Sequence, residues 1–132
     1  MQQSKRVSII LSLAAVHCLL WGVYIIALPE NSFRVYGFAD ELQHPLLWRG
    51  SGLTICLFGL GYALARTDPV RHYGLVLIGL LGKVLGAVGL LWGWVSGVLL
   101  WQTLIWVLVN DVIWVIPLSL IVHRACKSGI EG

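Results

Sequence analysis

Charged residues are scarce in this chain. Only 11% of its 132 residues are Asp, Glu, Lys or Arg, whereas 58% are hydrophobic and the mean hydropathy is +0.86. Soluble domains average about 25% charged residues, so this composition excludes an ordinary soluble domain. A helix that crosses a membrane takes about 20 apolar residues, so a chain of this length has room for four such helices and their turns but not for a soluble domain as well. The composition therefore predicts an integral membrane protein.

The chemistry-bearing motifs of enzymes and metal proteins are also missing. The sequence has no HExxH or CxxC pattern and no Walker-type phosphate loop. Its three cysteines, Cys18, Cys56 and Cys126, are an odd number, and the first two lie in apolar runs, so no disulfide framework is expected. We predict no catalytic residue and no metal site, which favours a protein that is not an enzyme; the cofactor is left unknown.

The net charge of +3 does not indicate nucleic-acid binding. The basic residues lie in short loops and tails and form no patch interleaved with aromatic residues. Lys and Arg near helix ends instead report membrane orientation. One side carries Lys5, Arg6, Arg66, Arg71, Arg124 and Lys127, and the other carries Arg34 and Arg49. The prediction is a multi-pass membrane protein with both termini in the cytoplasm and the lipid bilayer as its partner.

Four apolar runs predict the fold. We expect transmembrane helices over residues 7–28, 46–65, 72–94 and 99–122 within a single domain, 1–132. The first run is too long for the apolar region of a signal peptide and is predicted to be a retained helix. Short turns after the second and third helices make their neighbours antiparallel. The predicted fold class is all-α, an antiparallel four-transmembrane-helix bundle.

The outer segment 29–45 is longer than the other connections. It mixes aromatic residues such as Phe33, Tyr36 and Phe38 with polar ones, which is typical of an amphipathic segment lying in the membrane interface. Two interpretations remain open. The segment is either an interfacial anchor, which we favour, or a lid over an outward-facing cavity.

Small residues recur at helical spacing in the second and third predicted helices. In membranes such residues let helix backbones approach closely. The second helix carries Gly52, Cys56, Gly59 and Ala63, and the third carries Gly79, Gly82, Gly86 and Gly89. We expect the two stripes to face each other, with Cys56 as a small packing residue rather than a redox centre.

Two charged residues are predicted near the bilayer centre. Lys83 and Asp111 each lie about ten residues, hence about 15 Å, from an end of their helices. Because a charge at a helix centre costs about 2.5–3.5 kcal/mol to insert, we expect the two to be partners. Asn110 and His17 complete a predicted polar centre, although no second histidine shares the depth of His17, which disfavours a bis-histidine haem.

The polar centre has two interpretations of about equal weight. The first is a structural clamp between helices, and the second is a cavity that handles protons, an ion or a polar head group. His17 alone is more often a hydrogen-bonded packing residue than a ligand. We leave the two interpretations of the pair open at this point.

In layout the whole chain resembles the DoxX-like group of small bacterial four-helix membrane proteins. The stretches Gly82-Lys83-Val84-Leu85-Gly86 and Asn110-Asp111-Val112-Ile113-Trp114 look like signatures of a related set. The resemblance implies a bacterial inner membrane and, for some relatives, association with quinone-linked or redox systems. It transfers no catalytic residue to this chain.

Three functional hypotheses follow. The leading one is a non-catalytic membrane subunit or a small module that binds a hydrophobic ligand, with a possible homo-oligomer or a membrane partner protein. The second is an oligomeric proton- or ion-coupled transporter that uses the same polar residues. The third is an accessory protein of a quinone-linked membrane oxidoreductase.

Overall fold

The chain folds as an all-helical protein, as predicted. The computed structural model describes residues 2–130, so Met1, Glu131 and Gly132 of the predicted domain lie outside the described residues. The helical elements, in chain order, are α1 (Gln2–Ala27), α2 (Pro29–Tyr36), α3 (Pro45–Ala65), α4 (Tyr73–Val95), α5 (Thr103–Val107), a π-helical turn (Leu108–Val112) and α6 (Ile113–Ile130). The last three elements follow one another without a break.

Three helical stretches within residues 2–130 are long and apolar enough to cross a membrane. They are Lys5–Ala27, Tyr73–Val95 and Thr103–Gly129. The composition of the chain and the lengths of its helices are therefore those of a helical membrane protein. α3 is not among the three, although its 21 residues extend over about 31 Å.

Successive long helices run in opposite directions. α1 and α4 end at the same end of the bundle at which α3 and α5 begin, and α2 covers this end. We call it the outer end, after the predicted orientation, and the opposite one the inner end. α3 lies along α1, and α4 packs against both α3 and the α5–α6 rod.

Apolar side chains fill the inner half of the bundle. Leu11 of α1, Tyr62 of α3, Val76 of α4 and Leu118 of α6 are fully buried and belong to one cluster. Burying such side chains against one another produces close packing between four different helices. This cluster closes the inner half.

The glycine stripe of α3 faces α1, so the prediction that it faces the stripe of α4 is wrong. A Cβ atom on Gly52 would lie 2.8 Å from the carbonyl oxygen of Gly22, and one on Gly59 would lie 3.1 Å from that of Ala15. Cys56 also contacts Gly22. The stripe thus brings the backbones of α1 and α3 together.

The α4 stripe instead receives aromatic side chains from α3. Gly79 packs against the ring of Tyr62, and a Cβ atom on Gly82 would lie 2.8 Å from Phe58. The absence of a side chain on these glycines makes room for rings rather than for a second stripe. The two helices are therefore neighbours, as expected, but through aromatic contacts.

The last long helix begins later than predicted, at Thr103 instead of residue 99. The backbone before it pairs with the chain that follows α2: Leu100 N–H donates to the Gly37 carbonyl at 2.7 Å, and Phe38 forms an isolated β-bridge with Leu99. Gly37 has a φ of +99°, a left-handed conformation that ends α2 and favours glycine. The backbone of Leu99 and Leu100 is therefore paired with the chain after α2, and the helix begins only after these residues.

Candidate functional site

A cavity of about 310 Å³ lies in the outer half of the bundle. All four long helical rods and α2 contribute to its wall, which is mostly apolar and aromatic. The polar side chains of the wall are His17, Tyr36, Ser51, Lys83, Asn110 and Asp111. An apolar pocket of this size with a few converging polar groups is the usual form of a small-molecule site.

Lys83 and Asp111 meet at this cavity. Lys83 Nζ lies 3.7 Å from Asp111 Oδ1, and the two residues are only 8% and 7% exposed. The ammonium also donates a hydrogen bond of 2.6 Å to the backbone carbonyl of Asn110. The pair links α4 to the rod of α5 and α6. The Asp111 carboxylate balances the charge of the Lys83 ammonium, which keeps a further N–H donor free for another partner.

Asn110 and Asp111 both lie in the π-helical turn Leu108–Val112 and are both buried. Because consecutive helical residues point in different directions, their side chains meet different partners. The Asn110 amide donates to the Tyr36 hydroxyl, and the Asp111 carboxylate lies near Lys83. Single π-turns of this kind occur frequently at functional sites. Here the wider turn presents both the Asn110 carbonyl and the Asp111 carboxylate to Lys83.

Tyr36 is the residue of this site that sequence reasoning did not single out. Its hydroxyl accepts a hydrogen bond from Trp21 Nε1 and another, of 3.4 Å, from Asn110 Nδ2. Its backbone carbonyl accepts a 2.6 Å bond from Thr103 Oγ1. Burial raises the pKa of Tyr36 above its ordinary range, so the hydroxyl keeps its proton.

The contacts of α2 bear on its two interpretations. Tyr36 ties α2 to α1 and to the rod, while Trp48 Nε1 of α3 donates a 2.9 Å hydrogen bond to the buried Ser32 hydroxyl. Tyr36 and Trp48 both line the cavity. α2 therefore covers the outer side of the cavity, which is the arrangement expected of a lid, and it is held there by hydrogen bonds.

Removing the Tyr36 hydroxyl is expected to destabilise the bundle. Tyr36→Phe leaves the donors of Trp21 and Asn110 without an acceptor in a buried setting, which costs about 1–3 kcal/mol. Thermal unfolding in detergent, followed by circular dichroism, measures the effect. Tyr73→Phe is the matched control because Tyr73 is 40% exposed at the start of α4. Equal unfolding temperatures for the two variants would show that the hydroxyl contributes nothing to the outer cap.

His17 contributes an aromatic contact and a polar atom. Its ring lies 5.3 Å from that of Trp114, centroid to centroid, and it lines the cavity beside Cys18. His17 Nε2 and Asn110 Oδ1 are buried and have no hydrogen-bond partner among the residues that the structure describes. These two atoms are therefore available to a further polar group in the cavity.

The outer glycines of α4 line the cavity instead of a helix contact. A Cβ atom on Gly86 would meet only the Asp111 carboxylate, at 3.7 Å, and one on Gly89 would meet nothing within 4 Å. Both were predicted as packing residues. Gly79 and Gly82 do pack, so the stripe changes its role along the helix.

The polar centre offers hydrogen-bond donors and acceptors within an apolar wall. Among residues 2–130, no group of three or more His, Cys, Asp or Glu side chains is arranged to hold a metal ion. The polar groups provide donors at Lys83 and acceptors at Asp111 and Asn110, within an otherwise apolar wall. This combination suits a molecule with a small polar part and a larger apolar part.

The fold and the site together define a helical membrane protein with a polar-centred cavity in its outer half. No family model, curated protein or solved structure matches the chain.

Proposed function

We propose that this protein is a non-catalytic membrane module that binds a small, mostly apolar ligand in the cavity between its helices. The observation that carries the proposal is the position of the Lys83–Asp111 pair at the wall of an apolar cavity of about 310 Å³. Buried charges in membranes are costly and mark functional sites by default. The unpartnered Asn110 Oδ1 supports a ligand that supplies the missing hydrogen bond.

The proposal includes four crossings of a bacterial inner membrane with both termini in the cytoplasm. Its support is the close packing of α3 along α1, the length of α3, and the concentration of Lys and Arg at the inner end. The resemblance to DoxX-like proteins fits this arrangement. If α3 failed to cross, residues that follow it would lie on the other side of the membrane.

Cysteine labelling distinguishes these arrangements. Cys126 is exposed near the inner end, and in right-side-out vesicles we expect it to resist a membrane-impermeant maleimide. In a Cys126→Ser background, Val70→Cys in the exposed turn after α3 is expected to resist it as well, whereas Glu41→Cys reacts. Inside-out vesicles reverse the pattern. Reaction of Val70→Cys and Cys126 from outside would contradict the four crossings.

Ligand binding is tested by native mass spectrometry of the protein released from membranes. We expect the wild-type protein to carry an adduct, and the Lys83→Met/Asp111→Asn double variant to lose it, because the polar part of the ligand has lost the ammonium and the carboxylate. Lys127→Met is the matched control, since it removes an exposed lysine near the inner end. An adduct that persists in the double variant, or none in the wild type, would contradict the proposal.

Ion-coupled transport is the second candidate, because the buried Lys83–Asp111 pair is also what a proton or ion pathway would use. The apolar cluster that contains Leu11, Val76 and Leu118 favours ligand binding instead, since it separates the pair from the inner end. A pH-sensitive dye in proteoliposomes decides between them. Proton flux lost in Asp111→Asn would favour transport.

A further inference from the structure

We propose that the ligand is a neutral lipid with a hydroxyl head group, and that it enters sideways from the outer half of the bilayer through a gap between α3 and α4. This inference rests on the proposed ligand-binding function and specifies its ligand class and its route. Two independent observations carry it. The first is the divergence of two helices, and the second is the charge balance of the polar centre.

The gap opens where α3 and α4 separate. At their inner halves the helices are in contact through Tyr62 against Gly79 and Phe58 against Gly82. One turn further out, Gly86 meets only the Asp111 carboxylate, and Gly89 meets nothing within 4 Å. The contact between the two helices thus ends about halfway along them.

The cavity occupies the space that this separation leaves. Its wall includes Ser51 and Ile55 of α3 and Leu85, Gly86 and Gly89 of α4. Leu85 is 68% exposed, and the two glycines are exposed as well. In a bilayer these exposed positions face acyl chains, so an apolar chain can lie in the gap without crossing a polar barrier.

The opposite, outer approach is closed by α2. Tyr36 and Trp48 are held there by hydrogen bonds to Trp21, Asn110 and Ser32. A ligand from water would have to break these bonds, whereas a ligand from the lipid would not. The geometry therefore favours lateral entry.

The charge balance of the site determines the head group. Lys83 and Asp111 neutralise each other, so an anionic head group would add an uncompensated buried charge beside the Asp111 carboxylate. A hydroxyl adds no charge. It is able to donate to Asp111 or to the unpartnered, nearly fully buried Asn110 Oδ1, and to accept from Lys83 Nζ.

Fluorescence quenching tests both parts of the inference. The protein is reconstituted in phosphatidylcholine nanodiscs and titrated with 9,10-dibromostearyl alcohol or with 9,10-dibromostearic acid at pH 8.5. Bromine atoms quench nearby tryptophans, and Trp21 and Trp48 line the cavity. The saturable part of the quenching measures occupancy. We expect saturation with the alcohol and at least about tenfold weaker binding of the acid.

Gly89→Leu tests the route. Its side chain enters the open gap, and because a Cβ atom there meets nothing within 4 Å, the helices need not move to accommodate it. We expect the affinity for the alcohol to fall about tenfold. Gly74→Leu is the matched control on the same helix, since Gly74 also has open space around it and lies at the inner end. Circular dichroism and gel filtration verify the fold of both variants.

Each outcome has a definite meaning. Equal binding of acid and alcohol would overturn the neutral head group, and unchanged alcohol binding in Gly89→Leu would overturn the lateral route. A change in oligomeric state of Gly89→Leu with unchanged binding would assign the gap to a second copy of the chain and overturn the route as well. Absence of saturable quenching by both probes, together with no adduct in mass spectrometry, would overturn the proposed function itself.

Discussion

Lys83→Met is expected to destabilise the bundle more than the Lys83→Met/Asp111→Asn double variant does. Without the ammonium, the Asp111 carboxylate remains as an uncompensated charge in a position only 7% exposed. Removing one partner of a buried pair costs about 3–5 kcal/mol, whereas replacing both is often close to neutral. Unfolding temperatures in detergent, compared across the variants, measure the difference.

Asp111→Asn alone is expected to be the milder single change. The ammonium of Lys83 keeps its 2.6 Å hydrogen bond to the Asn110 carbonyl, and the new amide still offers an oxygen atom to it. Lys127→Met, at an exposed lysine near the inner end, controls for the loss of a positive charge as such. Strictly additive effects of the two single changes would contradict a coupled pair.

The same variants separate the two interpretations of the polar centre. A clamp requires only that the pair stabilise the contact of α4 with the π-helical turn. A binding site requires in addition that the stable double variant lose the ligand. The unfolding temperature of the double variant therefore tests the clamp, whereas its adduct tests the binding site. The proposed function depends on the adduct.

The pairing of Lys83 with Asp111 was predictable because the rise of a helix is constant. Counting residues from the helix ends places both near mid-membrane, and the cost of a lone charge there predicts a partner. The π-helical turn at Leu108–Val112 was not predictable, since no residue type marks it. Asn110 and Asp111 are its two buried residues.

The role of Tyr36 at the cavity was not predictable from the sequence, for a physical reason. It lies at the end of α2, and its role depends on long-range contacts with Trp21, Thr103 and Asn110 that no local pattern reports. Pro29 stands in the first turn of α2, where proline is favoured. The signal for the helix was thus present in Pro29.

A stripe of small residues identifies a contact face but not its partner. The α3 stripe is predicted to face α4 because α4 carries a matching stripe at helical spacing, and adjacency along the chain does favour contact. The structure assigns the stripe to α1, where Ala15, Cys18 and Gly22 lie opposite it. These three small residues follow one another at steps of three and four, so α1 has a stripe of its own that was not predicted.

The contact between α1 and α3 is expected to tolerate a leucine at one glycine of α3 and not at another. Gly52→Leu places a side chain where a Cβ atom would already lie 2.8 Å from both the Gly22 carbonyl and Ile25. Gly50 has nothing within 4 Å of the same position, so Gly50→Leu adds the same side chain to open space. The two variants differ only in what the leucine meets.

We expect Gly52→Leu to separate α1 from α3. The free energy of unfolding should fall by more than overpacking typically costs, which is about 1–3 kcal/mol, because backbone rather than a flexible side chain must move. Gly50→Leu is expected to leave stability unchanged or slightly raised, since leucine forms helices better than glycine. Unfolding temperature in detergent and the yield of monodisperse protein report both. If the two variants unfold alike, α3 does not depend on α1 for its position. Since α3 provides Ser51 and Ile55 to the cavity wall, the separation expected in Gly52→Leu should also abolish ligand binding.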